Sequence, residues 1–254
     1  MSVYSKYLRR ITAWGGVVVF GLTFLMLYPF LYITLHNPAW HPWANKIRLF
    51  WAKILFPLTA SSYELYYESP LDPSKQYVVC SNHTSMIDIP LSAILLNGAN
   101  FKFMAKHQLA ELPVFGIFFR TVDIPVNRES KIASFRAYKQ ALEALDNGYS
   151  LIIYPEGTTS DIAPQMLEFK NGPFKIAIDK QVPVVPVTFL DNWHMFLYDG
   201  TMLFRPGRAR VIVHEPIETV GLTQADADSL RDRVYDIIDT DLKNEYGSKF
   251  VFSR

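Results

Sequence analysis

From Ile11 to Leu35 the chain runs for 25 residues without a charged side chain. As a helix this run would be roughly 38 Å long, against about 30 Å for the hydrocarbon core of a bilayer. It is therefore long enough to span. Lys6, Arg9 and Arg10 stand in front of it, a pattern that keeps the N-terminal end on the cytoplasmic side. The run is too long for the central region of a cleaved signal peptide, and no small-x-small cleavage site follows it. Pro29 would kink a helix here, so a half-buried path in one leaflet is compatible as well as a span.

The next segment strengthens the membrane reading. Residues 43–56 place Trp43, Ile47, Phe50, Trp51, Ile54 and Leu55 near helical spacing, mixed with Lys46, Arg48 and Lys53. Cations interleaved with tryptophan suit an amphipathic helix lying on anionic lipid, although a core helix would show the same periodicity. The charge distribution points the same way. No Asp or Glu precedes Glu64, while six cations do, which leaves 19 cations against 24 acids for the rest. Such asymmetry implies an anionic partner for the N-terminal end. With four of the five tryptophans there too, that partner is a lipid surface rather than nucleic acid.

From about Ser62 onward strand-like and helix-like pieces alternate. Strands are expected near 63–67, 77–80, 101–105, 122–126, 151–154, 184–189 and 211–214. Helices are expected over 132–145 and over 223–246, the latter opened by Thr223 with Asp226 three residues on. This alternation predicts an α/β fold, a mixed sheet flanked by helices. The division expected is 1–60 for membrane-anchoring helices and 61–254 for a catalytic domain. The single cysteine, Cys80, excludes an internal disulfide framework and a cysteine-rich zinc site.

Four short pieces carry candidate chemistry. Asn82-His83-Thr84-Ser85-Met86-Ile87-Asp88 follows the strand ending near Cys80, where functional groups collect in α/β folds. Five residues of helix turn through about 500°, so His83 and Asp88 meet only if His83 sits on the turn before a helix. Asp88 could then fix one ring nitrogen and leave the other to take a proton from a hydroxyl. Taken alone, the pair also fits a capped helix start. Tyr154-Pro155-Glu156-Gly157-Thr158-Thr159-Ser160 is a turn after another buried strand, in which Gly157 permits a close backbone approach and Glu156 could meet a polar headgroup. In Ile124-Pro125-Val126-Asn127-Arg128, Arg128 could contact phosphate through both guanidinium arms or snorkel over apolar surface. Val182-Pro183-Val184-Val185-Pro186-Val187 alone reads as core.

In this order and at these separations, the four pieces resemble the glycerolipid acyltransferase family that includes bacterial 1-acylglycerol-3-phosphate acyltransferase. Ala105-Lys106, Pro113 and Gly116 add to the likeness, which covers about residues 75–190. The resemblance implies a lysophospholipid acyltransferase of phospholipid biosynthesis. His83 would deprotonate the acceptor hydroxyl, which attacks the thioester of acyl-CoA or acyl-carrier protein without a covalent acyl-enzyme. Asp88 would orient His83. Arg128, Glu156, Gly157 and Thr158, with Lys106 nearby, would bind the acceptor headgroup. No cofactor or metal is implied, and the catalytic domain would sit at the cytoplasmic face of a membrane. Two positions depart from the family pattern: Tyr154 replaces Phe, and Thr159 replaces an Arg expected to pair with the acceptor phosphate. Arg128, Lys106, Lys170 or Lys175 could compensate. Otherwise the acceptor is another lysolipid or a lyso-aminolipid.

Rival readings have less behind them. No Gly-x-Ser-x-Gly elbow supports a hydrolase, and no P-loop supports a nucleotide enzyme. His36, His41, His107, His194 and His214 lack ligand spacing for a metal. Cys80 ends an apolar run, a poor setting for a thiolate nucleophile. A non-catalytic membrane-binding protein of the same fold is the remaining alternative.

Overall fold

The structure, a computed structural model, describes residues 3–96, 98–197 and 202–247, with side chains from residue 7. Lys6 is thus described in its backbone alone. The uncharged run forms most of one helix, α1 (Val3–His36), with Pro29 inside it. Asn37 accepts from the Ala39 N–H at 3.0 Å and opens a 3-10 turn that leads into α2 (His41–Leu58). The two helices pack through Phe24 and Trp51, whose rings lie 5.2 Å apart, and Trp51 Nε1 donates to Thr23 Oγ1 at 2.9 Å. Ala13, Leu31 and Leu35 of α1 are buried as well, while its other side is apolar and exposed, including Ile11, Trp14, Met26 and Phe30. Among the described residues it is the one helix long and apolar enough to cross a membrane.

The structure corrects one part of the amphipathic reading of α2. Arg48 does not face lipid. Its guanidinium is buried against Asp123 at 2.9 Å, shares Asn45 Oδ1 and lies over the rings of Phe101, Phe103 and Phe118. A buried guanidinium needs a carboxylate and several acceptors, and residues far along the chain supply them. Sequence periodicity cannot display that partner.

Beyond α2 come β1 (Ser62–Tyr67), β2 (Val78–Ser81), α3 (Asp88–Leu95), β3 (Phe101–Lys106), α4 (Ile117–Thr121), β4 (Ile124–Val126), α5 (Lys131–Asp146) and β5 (Ser150–Ile153). They are followed by α6 (Gly172–Lys180), β6 (Val184–Phe189), α7 (Asn192–Met195), β7 (Phe196–Leu197), β8 (Leu203–Phe204), β9 (Arg208–Val213) and α8 (Ala227–Tyr246). Among the described residues seven strands form one sheet in the order β1-β9-β6-β2-β5-β3-β4, and β7 and β8 pair separately. Every pairing in the large sheet is parallel except β6 with β9. The mixed α/β sheet expected from the alternation is the one observed.

The central strands are covered on both faces, so they read as unbroken apolar runs. Val78, Cys80 and Leu151 face a core shared with Phe174 of α6 and Val234 and Ile238 of α8. Val79, Ile152, Val185 and Val187 face the opposite core, closed by Phe56 of α2 and Leu91 and Leu95 of α3. Thr223 and Asp226 form the expected capping box before α8. The α6 helix is not among the helices expected from the sequence: it spans only nine residues, and its exposed polar side is confined to Lys175, Asp179 and Lys180, too short a stretch for a periodic pattern to stand out.

Candidate active site

The sheet brings the sequence motifs to one edge. His83 follows β2, Tyr154 follows β5, Lys106 ends β3 and Arg128 follows β4. These four strands are parallel neighbours, so their carboxyl ends open on the same side, where α/β sheets hold ligands.

The chain leaves β2 through Asn82, a fully buried side chain. Its Oδ1 accepts from the Phe189 N–H at 2.8 Å and its Nδ2 donates to the Phe189 carbonyl at 3.0 Å. Asn82 thereby completes the hydrogen bonding at the end of β6 and frees His83 to turn out of the sheet. The turn is closed by Asp88, the first residue of α3. One Asp88 oxygen, Oδ2, accepts from the Thr84 and Ser85 N–H groups at 2.7 and 2.8 Å and from His83 Nδ1 at 2.8 Å. The other, Oδ1, accepts from Asn192 Nδ2 at 2.6 Å. Asp88 is fully buried, and the His83 side chain keeps 13% of its exposure. A carboxylate only accepts. Nδ1 therefore carries the proton, and Nε2 holds the lone pair that a general base uses. The spacing argument required His83 on the turn before a helix, and that is its place.

The imidazole is also supported from its flat side. Tyr154 stacks on it with ring centroids 4.0 Å apart and planes 14° from parallel. The Tyr154 hydroxyl and Ser92 Oγ of α3 lie 3.0 Å apart. Burial raises the Tyr154 phenol well above its usual range, so it remains a neutral hydroxyl. Thr159 places Oγ1 3.3 Å from His83 Nε2.

Glu156 sits behind this arrangement and is buried. Its Oε1 accepts from the His83 N–H and its Oε2 from the Leu167 N–H, both at 2.7 Å. Burial pushes its carboxyl up to about 7, while these two donors pull the other way. With both oxygens held by backbone, the carboxylate locks the His83 turn to the 154–160 loop and does not reach into open space. Gly157 takes φ +82, and a Cβ there would collide with the Arg128 guanidinium, which donates to the Gly157 carbonyl. Lys106 Nζ donates to Thr158 Oγ1 at 3.0 Å. Two cations therefore border the loop that faces His83. Lys170 meets the loop through its backbone N–H on the Pro155 carbonyl, and Lys175 lies on α6.

All seven residues singled out in the sequence converge on this edge of the sheet. Sequence reasoning missed Asn192, Ser92 and the contact of Thr159 with the imidazole. Asn192 comes soon after an apolar strand, and a buried polar residue there was the available signal. The Ser92 link depends on the hydroxyl that Tyr154 carries where the family pattern has Phe.

The fold and site define an α/β protein with a histidine paired to a buried carboxylate at the strand ends, a cation-bordered loop opposite it, and apolar helices alongside. The chain matches the family model described as Acyltransferase over residues 63–190, and it belongs to that family. It is 28% identical over 205 residues to the chloroplastic 1-acyl-sn-glycerol-3-phosphate acyltransferase LPAT1 of Arabidopsis thaliana, covering 80% of this chain and 56% of that one. It is 32% identical over 165 residues to 1-acyl-sn-glycerol-3-phosphate acyltransferase alpha of Homo sapiens, covering 64% and 57%. The chain thus spans little more than half the length of these relatives. Its fold is similar to the crystal structure of PlsC, the 1-acyl-sn-glycerophosphate acyltransferase of Thermotoga maritima. The TM-score is 0.73, with 23% identity, over 98% of this chain and 100% of the other. The family expected from the four motifs is the family found.

Proposed function

We propose that the protein transfers a fatty acyl group from an acyl thioester, on coenzyme A or acyl-carrier protein, to the free hydroxyl of 1-acylglycerol-3-phosphate. The observation that carries this reading is the asymmetry of His83, with Nδ1 fixed 2.8 Å from Asp88 and Nε2 turned toward the 154–160 loop. Nε2 takes the acceptor proton as the hydroxyl oxygen attacks the thioester carbonyl. The C–S bond breaks, and the departing sulfur receives the proton from the imidazolium. Asp88 keeps the tautomer and balances the transient charge. The thioester supplies an already activated acyl group, so the reaction calls for no cofactor.

Arg128 and Lys106 supply positive charge for the acceptor phosphate. Gly157 and Thr158 form the surface between them. In this reading Glu156 acts by positioning His83 rather than by touching the headgroup. Residues 1–60 hold the chain on the membrane, and residues 61–254 form the acyltransferase domain on the cytoplasmic face. Support for the anchor comes from the exposed apolar face of α1. Arg9, near one end of α1, donates to the His194 carbonyl, and Leu35, near the other, accepts from His41 Nε2. A helix tied to its surroundings at both ends lies along the domain, which favours a flat position in one leaflet.

The test is acyl transfer by detergent-purified protein to lysophosphatidic acid, to lysolipids with larger headgroups and to a lyso-aminolipid, each with acyl-CoA and with acyl-carrier protein. Preference for lysophosphatidic acid is expected, because Arg128 and Lys106 replace the cation missing at Thr159. Preference for a neutral or larger headgroup would overturn the acceptor. No transfer from folded, membrane-competent protein would leave the non-catalytic reading.

A further inference from the structure

Thr159 occupies the position that the acceptor hydroxyl needs. Its Oγ1 lies 3.3 Å from His83 Nε2, and Asp88 holds Nδ1 at 2.8 Å. Hydroxyl, imidazole and carboxylate in this order are the arrangement that activates a side-chain nucleophile, recognised by roles rather than by sequence position. The separation is longer than a tight O–H···N bond, as is common for such contacts before substrate binds.

The loop holds Thr159 there from both sides. The Gly157 N–H donates to the Tyr154 carbonyl at 3.0 Å, and the Ser160 N–H donates to the His83 carbonyl at 2.7 Å. The adjacent hydroxyls have other partners. Thr158 Oγ1 accepts from Lys106, and Ser160 Oγ donates to the Gln165 carbonyl at 2.8 Å. Thr159 is partly exposed, so an acyl thioester aligned for transfer can reach it.

We propose that Thr159 is a self-acylation site: with an acyl thioester present and no lysolipid in place, the chain acylates its own threonine. His83 Nε2 takes the proton from Oγ1, and Oγ1 attacks the thioester carbonyl carbon. An O–C bond forms, the C–S bond breaks, and the sulfur leaves with the proton returned from the imidazolium. The products are a threonine ester and a free thiol, with no change of oxidation state. The ester then fills the space in front of Nε2, so excess donor slows the enzyme until the ester is hydrolysed or passed on. A secondary, β-branched alcohol is a hindered nucleophile, so this step is slower than transfer to lysolipid. The inference rests on the reading of His83 as the base and an acyl thioester as the donor.

The experiment incubates the full chain with palmitoyl-coenzyme A, without and with lysophosphatidic acid, and follows intact mass and peptide maps. One acyl group per chain is expected on the peptide carrying Thr159. It should resist neutral hydroxylamine, which cleaves thioesters such as one at Cys80, and it should diminish when lysophosphatidic acid competes. Its rate should fall on the order of 10²-fold or more in His83→Ala. The adduct should be absent from Thr159→Val. In Thr159→Ser it should form at the same position at least as fast as in wild type, a gain that a misfolded valine variant could not mimic. If the sample transfers acyl groups to a lysolipid in a His83-dependent way but Thr159 stays unmodified, the inference fails and the transferase reading stands. An adduct undiminished in His83→Ala likewise overturns it. A folded sample that neither transfers nor acylates itself overturns both.

Discussion

Among the described residues two histidines meet buried or partly buried carboxylates, and they end in opposite conditions. His83 has Asp88 on Nδ1 and an aromatic ring against its face, and its Nε2 looks onto a loop. His214, just after β9, has Glu68 3.1 Å from Nδ1 and Asp241 2.9 Å from Nε2, with Thr188 Oγ1 also 2.9 Å from Nε2. Burial opposes charge on His214, but the hydrogen bond and charge of Asp241, with Glu68 behind them, outweigh it and raise its pKa above 6.5. A histidine with carboxylates on both nitrogens is pushed toward its charged form and ties elements together, here β6, β9, α8 and the residue after β1. A histidine with one carboxylate, as His83 is, keeps its second nitrogen turned to the loop, open to the role proposed for it. Residue type is the same at both places, and the difference lies in whether the second nitrogen is closed.

The sharpest way to break this contrast is to remove each imidazole. His83→Ala is expected to lower acyl transfer by about 10²–10⁴-fold with little change in the unfolding midpoint. Near-normal transfer by the folded variant would end the role given to His83. Asp88→Asn comes next, with transfer expected to fall on the order of 10²-fold. The carboxamide loses the charge and turns an N–H₂ toward either the turn N–H groups or Asn192; unchanged kinetics would remove Asp88 from the mechanism. Glu156→Gln should cost about 1–3 kcal/mol in denaturant unfolding, because one of two buried backbone N–H groups loses its acceptor, and transfer should fall with it as the His83 turn loosens. Stability equal to wild type would show that the bridge is dispensable.

The smallest effect belongs to the closed histidine. Glu68 and Asp241 are partly exposed, so, beside a pH-independent loss of packing at this buried position, the ion-pair part of what His214→Ala removes should be only about 1 kcal/mol. Because the folded pKa is raised, that contribution is complete below about pH 6.5 and disappears as pH rises through the folded pKa. The stability gap between wild type and His214→Ala should therefore narrow as pH rises into the alkaline range. A gap that widens with pH would mean that His214 is buried neutral and the contrast with His83 is misread.

Much of this architecture can be read from residue order. The central strands declare themselves because both faces are covered, so Val78–Ser81 and Val184–Phe189 are buried throughout. The His83–Asp88 pair could be placed on a turn before a helix because helical rotation forbids any other contact. What stayed hidden depends on distant chain meeting distant chain. Arg48 looks like a lipid-facing cation until Asp123 is brought to it. Asn192 looks like a loop residue until it reaches Asp88 from 104 positions away. Glu156 looks like a headgroup ligand until both its oxygens are found on backbone. Local pattern reports periodicity and turn chemistry; it cannot report which buried polar group will be satisfied by which partner.

The register of β1 carries a consequence for how the chain is made. Ser62 pairs with Arg208 and Tyr67 with Val213, in parallel, so among the described strands of this sheet the earliest made waits for the latest. During that interval α1 and α2 are already available to lipid, while a six-residue edge with Tyr63, Leu65 and Tyr67 on one side has no neighbour. Unpaired edges of this kind invite association between nascent chains. Under the proposed anchoring, retention of the newborn chain at a bilayer surface would keep such edges apart, so the apolar helix α1 would aid solubility during synthesis.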